Sequence, residues 1–400
     1  MNLKSGMPFW LIKDGLPHTF PKLDKDIETD VIIIGAGISG ALVRYYLINA
    51  GIQCVMIDAR TIGLGSTSAS TSLLQYEIDT PLHKLIDKIG KEKAERAYQL
   101  CNYAIDKLEK IAKELKLDEF EKKKSLFYAA YKKDIPMLEK EFQARKEAGF
   151  GVSLLDEKQI YKQFGFKAPL AILSANAAQT NAYAFTHKLL QVKKGSHLDI
   201  YDRSPIVKID TQKNGAVLKT ESGFTIKAKK VVYATGYEVV EFIDKKIVDL
   251  KATYAVVSEQ YNERKFWKDE VLIWNTANPY LYVRTTPDGR VLVGGRDEDF
   301  YNPDKRNKLI SKKTKQLTKD INTLFPQLDF KPEFSWTGTF GATKDGLPYI
   351  GVYDKLPNSY FALGFGGNGI TFSLIAAEII RDLLLGKENK DASIFSFDRV

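Results

Sequence analysis

Gly35, Gly37 and Gly40 stand at G-x-G-x-x-G spacing in the segment "TDVIIIGAGISG". Residues of that type at that spacing can hold a phosphate. One glycine permits a tight turn, the second admits a pyrophosphate against bare backbone, and the third lets helix and strand pack closely. Asp58 follows 18 residues after Gly40, where a carboxylate hydrogen-bonds a ribose diol. Arg60 stands beside it, but Asp58 would repel a 2′-phosphate, so the pattern reads as a dinucleotide site.

The surrounding residues supply the elements that must position these groups. Val31 to Ile34 form an apolar run that predicts a buried parallel strand, and "ALVRYYLINAG" places Leu42, Val43, Tyr46 and Leu47 on one helical face. The next strand, "QCVMID", ends on Asp58. About 330 residues later the same logic returns in "SYFALGFGGNGITFSLIAAEIIRDLLLG". There a strand at 360–363 meets a glycine turn from Gly364 to Gly369, and an apolar helix begins at Ile370. A second helix start suits a flavin, because reduction puts negative charge at N1 and the C2 carbonyl, which a helix N-terminus stabilises.

Between these ends, residues 81–150 read as helical: Tyr98, Cys101, Ile105, Leu108, Ala112 and Leu115 step by three or four, and Gly149 stops a second helix. Residues 200–236 read as strands with turns at Asn214-Gly215 and Ser222-Gly223, and 251–296 as a second sheet with a hairpin at Pro287-Asp288-Gly289. In "YLYVR", alternation sets Tyr280, Tyr282 and Arg284 on one face.

A chain of 400 residues with 44% hydrophobic and 27% charged residues calls for two lobes. Its net charge of +9 comes from lysines mixed with acids, which read as solvated helix faces rather than a nucleic-acid surface. Cys54 and Cys101 read as buried small hydrophobes, and two cysteines without CxxC exclude a disulfide-reductase or cysteine-rich metal centre. His18, His83, His187 and His197 show no ligand spacing, so no metal site is expected. No run of about 18 apolar residues predicts a bilayer span, no signal peptide is evident, and the cytoplasm is the default location.

Taken together, "VIIIGAGISG" with Asp58, "GLGSTSASTS", "SPIVKI", "VVYATGY", "PYLYVRTTPDGRVLVGG" and "TKDGLPYIG…FALGFGGNGITFS" resemble the D-amino-acid-oxidase-like family of FAD-dependent oxidoreductases over residues 30–375. The Trp10 prelude and the helical stretch resemble bacterial members, some of which carry an appended Rieske domain. The resemblance implies an α/β (α+β) fold, with a Rossmann-like FAD/NAD(P)-binding domain beside a substrate domain of mixed antiparallel sheet and helices. The expected division puts 28–80, 151–250 and 331–400 in the FAD domain, 81–150 and 251–330 in the substrate domain, and 1–27 in an N-terminal extension.

The resemblance further implies that Gly35, Gly37, Ile38, Ser39 and Gly40 hold the pyrophosphate, with Asp58 on the ribose and Arg60 beside it. It implies Ser66 and Thr67 along the phosphates and ribityl chain, the backbone of Val207 at adenine, and Gly236 as a second FAD contact. Gly367, Asn368, Gly369 and Ile370 would lie under the flavin pyrimidine. Gly338 stands where covalent members carry cysteine, so FAD is expected to be non-covalent. Thr371 replaces a lysine that favours electron transfer to oxygen, and Ser72 and Gln75 replace basic loop residues. The expected reaction is hydride transfer to the flavin from the carbon of a small amine or amino acid, the resulting imine being hydrolysed, with oxygen or another acceptor taking the electrons. A hydroxy-acid or polyol-phosphate dehydrogenase and a non-catalytic flavin-binding protein are the alternatives. Arg284 is the candidate for a substrate carboxylate, with Tyr282, Gln75 and Thr371 as further substrate-face candidates. Tyr254 and Trp274 are also considered, and Arg296 is expected in a loop ion pair.

Overall fold

Apolar runs short enough for strands and bounded by glycine turns build the nucleotide-binding sheet. The computed structural model describes residues 1–192, 200–363 and 366–399; His197 and Gly364 lie outside them. Strands Ser359–Leu363, Thr225–Tyr233, Ile27–Ile34, Cys54–Ile57 and Ile200–Tyr201 run parallel in that order, with Tyr349–Val352 antiparallel at one edge. The C-terminal residues of the central strands, Val31 to Ile34 and Val231 to Tyr233, are buried, as strands covered on both faces require. Helix Ile38–Asn49 follows the first glycine turn and helix Gly369–Leu384 the last, and the two pack against each other.

Among the described residues, the second sheet has ten strands. Its path runs Lys4–Gly6, Pro332–Ala342, Asp249–Ser258, Val291–Glu298, Leu281–Thr285, Leu272–Asn275, Glu121–Tyr128, Leu170–Gln179 and Leu73–Gln75, with Val152–Asp156 paired to Leu170–Gln179. The pairing is antiparallel except where Leu272–Asn275 meets Glu121–Tyr128.

Sheet membership departs from the division expected from sequence. Residues 152–156, 170–179 and 332–342, assigned there to the FAD domain, pair within the ten-stranded sheet. Helix Lys91–Glu114, assigned to the substrate domain, packs on helix Gly369–Leu384 and shares its apolar cluster. Alternation and periodicity show that a segment is a strand or a helix; they do not show which neighbour completes it. The N-terminal extension is part of the fold, since Lys4–Gly6 adds an edge strand and Trp10 is fully buried. Within helix Ile135–Glu147, Glu141 and Arg145 are buried as an ion pair at 2.7 Å.

Candidate functional site

A cavity of about 710 Å³ is lined from both sheets. On its nucleotide side lie Gly35, Gly37, Ile38 and Ser39. Gly35 has φ +102°, in the region that favours glycine. Gly40 is not on the lining: a Cβ there would sit 1.9 Å from the Gly35 carbonyl oxygen, so this glycine lets helix meet strand. The starts of the two helices meet, with Ser39 Oγ 2.7 Å from Ser373 Oγ. Two positive dipole ends therefore converge beside one cavity.

Asp58 lines the cavity and accepts hydrogen bonds from the backbone N–H of Ala36 (2.7 Å) and of Arg60 (2.8 Å). Burial pushes its carboxyl above the usual range against the pull of those two donors. Arg60 is also on the lining, but its guanidinium donates to Glu238 (2.8 Å) and to the Met1 carbonyl (2.9 Å). Thr235 and Gly236 line the cavity opposite. Val207 is not among the lining residues, where its neighbour Ile206 stands; its side chain is 61% exposed, and the role expected of it is one for its backbone.

The loop of small hydroxyl residues starts with Ser66 and Thr67, both on the lining. Thr67 Oγ1 accepts the Ile38 N–H at 3.1 Å. Four consecutive carbonyls of this loop are each held by a side chain from elsewhere. Trp336 Nε1 donates to Ala69 O (2.9 Å) and Trp10 Nε1 to Ser70 O (2.7 Å). Arg284 Nη1 donates to Thr71 O (3.0 Å) and Ser72 O (3.1 Å).

Arg284 is thereby removed from the role expected of it. It is buried, its Nη1 also donates to Thr180 O (2.8 Å) and its Nε to Thr285 O (3.0 Å), and it lies off the cavity lining with its guanidinium 5.4 Å from the Trp10 ring. Burial lowers its pKa to about 10. Alternation put Arg284 in register with Tyr282, but the loop and Trp10 cover its end of that sheet face.

Tyr280, Tyr282 and Trp274 do face the cavity, with Phe127 stacked on Trp274 at a ring separation of 3.8 Å and the two tyrosine rings 5.7 Å apart. Burial pushes the Tyr282 phenol up to about 12, so it is a neutral donor at physiological pH. Gln75 lines the cavity and its amide donates to Ser125 Oγ (2.9 Å). Tyr254 is buried away from the cavity, and Arg296 pairs with Asp320 at 2.7 Å as expected.

At the last glycine turn Gly366, Gly367, Asn368, Gly369 and Ile370 all line the cavity. The Asn368 amide donates to Gln75 O (3.0 Å) and Glu77 O (2.8 Å), tying this turn to the strand that carries Gln75. Thr371 is buried off the lining and donates to Asn368 O (2.9 Å), so it is not a substrate-face residue. Its position in the first helical turn points its hydroxyl back along the helix.

Sequence reasoning missed Glu238 as the partner of Arg60, Trp336 and Phe127 on the walls, Thr235, and Asp79. Glu238 follows Gly236 closely enough to have been suspected; Asp79 belongs to no pattern.

Several features fit a long, phosphate-bearing ligand. The two glycine turns, Asp58 and the hydroxyl loop all border one cavity. Ser66 Oγ and Thr235 Oγ1, both on residues that line it, are buried without a hydrogen-bond partner. Buried hydroxyls ordinarily find partners, and a bound ligand would supply them here. The family described as FAD dependent oxidoreductase, DAO, matches residues 30–383.

The chain belongs to this family of FAD-dependent oxidoreductases.

It is 25% identical over 394 residues to a glycine oxidase of Bacillus subtilis (strain 168), covering 92% of this chain and 97% of that one. It is 24% identical over 400 residues to the gamma-glutamylputrescine oxidoreductase of Escherichia coli (strain K12), covering 92% and 86%. A B. subtilis (strain 168) protein whose name describes a Rieske 2Fe-2S iron-sulfur protein is 26% identical over 412 residues, 98% of this chain and 75% of that one. Among solved structures, glycine oxidase from Geobacillus kaustophilus superposes with a TM-score of 0.77 at 19% identity, covering 93% and 99%. The two cysteines, Cys54 and Cys101, are buried off the lining, and Gly338 borders the cavity. No helix among the described residues is long and apolar enough to cross a membrane, and no group of metal ligands occurs among them.

Proposed function

We propose that this FAD-dependent oxidoreductase oxidises the C–N bond of a small amine or amino acid, with FAD held non-covalently. The supporting observation is the single cavity bordered by both glycine turns and, on its far wall, by an aromatic sheet face. Asp58 would hold the ribose, Gly35 to Ser39 the pyrophosphate, Ser66 and Thr235 the polar chain, and Gly367 to Ile370 the pyrimidine end. When bound, FAD supplies the acceptor for a hydride.

The protein's own contribution is positioning and exclusion of water. Tyr280, Tyr282, Trp274 and Phe127 wall the space beside the last glycine turn and shape where a substrate carbon can lie. An ammonium bound at this wall must lose a proton before its C–H bond breaks, and the Tyr282 phenol, neutral at physiological pH, is no base for that proton. The substrate C–H bond breaks with its electron pair, C=N forms, and water then adds to release the amine and a carbonyl product.

The experiment is anaerobic mixing of the holoprotein with amines, amino acids and hydroxy acids, followed by visible absorption. Bleaching by members of the first two groups is expected. Bleaching by hydroxy acids alone, or by nothing, overturns the proposal.

A further inference from the structure

The substrate end of the cavity carries a charge pattern that the reading above leaves unused. Asp79 lines the cavity, is exposed, and accepts the Gly367 N–H at 2.9 Å. A Cβ on Gly366 or Gly367 would come within 2.6 or 2.5 Å of its oxygens, so this turn makes room for the carboxylate as well as for a ligand. Asp297 and Tyr280 lie close enough to feel its charge, and Asp297 Oδ1 is itself buried without a partner. The nearest counter-charge is Lys251, which is committed to Asp299 at 2.7 Å.

The guanidinium groups that could meet a substrate carboxylate are committed elsewhere. Arg284 is bound to backbone carbonyls off the lining, and Arg60 is paired with Glu238 at the opposite end. Lys84, the remaining side-chain cation among the described lining residues, is exposed on helix Leu82–Ile89. The walls are Tyr280, Tyr282, Trp274 and Phe127, whose ring faces attract cations. A carboxylate brought here would meet Asp79 and no guanidinium, whereas an ammonium would meet an acid and aromatic faces.

We infer that the substrate is recognised as a cation, an amine without an α-carboxylate, and that Asp79 is the residue that reads its charge. The inference deepens the function proposed above and rests on it for the substrate's fate, but cation binding can be read separately.

The holoprotein is titrated with benzyltrimethylammonium, which has no nitrogen lone pair and cannot be oxidised to an imine, and with benzoate, while the flavin spectrum is followed. Perturbation by the cation and none by benzoate is expected. The protein is also reduced anaerobically with matched pairs, phenethylamine against phenylalanine and 1,4-diaminobutane against ornithine. The amine should exceed its partner in kcat/KM by about tenfold or more, as loss of one favourable charge contact would give. Asp79→Asn keeps an acceptor for the Gly367 N–H but loses the charge; it should weaken cation binding about tenfold with FAD content unchanged. Perturbation by benzoate alone, equal reduction by amino acids, or unaltered cation affinity in Asp79→Asn each overturns the inference. Cation binding without reduction by any amine supports it and sinks the proposed reaction instead.

Discussion

Arg284→Met distinguishes a guanidinium that shapes the cofactor loop from one that grips a substrate. Its Nη1 supports Thr71 O, Ser72 O and Thr180 O, all outside its own strand. Hydrogen bonds to a charged donor contribute about 1.5–3 kcal/mol each. Against them stands the burial cost of the charge, which brings the pKa down to about 10, a penalty of about 3 kcal/mol. Ser72 O keeps a second donor, the Thr180 N–H at 3.2 Å, so its loss is smaller. The net expectation is destabilisation by about 2–4 kcal/mol. At about 2.1 cal/mol/K per residue, that lowers the melting temperature of a 400-residue chain by about 2–5 °C. Thr71 and Ser72 would lose their shared anchor, so FAD should also wash out faster during dialysis. Calorimetry and the flavin-to-protein absorbance ratio measure the two effects. An unchanged melting temperature and full FAD retention, with weakened binding of carboxylate substrates only, would refute the clamp and restore the sequence-based role.

Two further outcomes follow from the same geometry. Gly40→Ala puts a methyl 1.9 Å from the Gly35 carbonyl, forcing helix Ile38–Asn49 off the first strand, at about 3 kcal/mol or a hundredfold in FAD affinity; the purified protein should be nearly colourless, and a fully yellow variant would contradict this packing. Asp297 has its pKa raised by burial to about 6, above an unfolded value of about 3.9. The folded chain therefore binds the proton more readily, and stability falls as pH rises through 4 to 6. Asp297→Asn removes that penalty, so it should stabilise the protein at pH 7.5 by at most about 3 kcal/mol, with the gap closing near pH 4 in urea titrations. A gap that widens toward acid would show the sign to be wrong.

The nucleotide end of the site was legible because its determinants are local: the spacing of Gly35, Gly37 and Gly40 and a strand ending in Asp58 specify one turn with its neighbours. The second glycine turn was legible for the same reason. Arg284 was misread because alternation gives the face of a strand and not what covers it; its cover comes from residues 10 and 71–72. The pairing of strand Pro332–Ala342 was not legible, because its partner, Asp249–Ser258, lies some eighty residues away and carries no mark of it. Asp79 was invisible, since its importance arises from Gly366 and Gly367 approaching across 288 residues of chain.

The hydroxyl loop is held by its carbonyls, and every amino acid has one. Donors 60, 213 and 267 residues distant impose its path from outside. From Ala69 to Ser72 the path therefore leans less on the loop's own side chains, of which Ser70 Oγ still accepts the Ser72 N–H at 3.1 Å. Substitution at Thr71 can retune what the loop grips while the course of the chain beneath it stays the same.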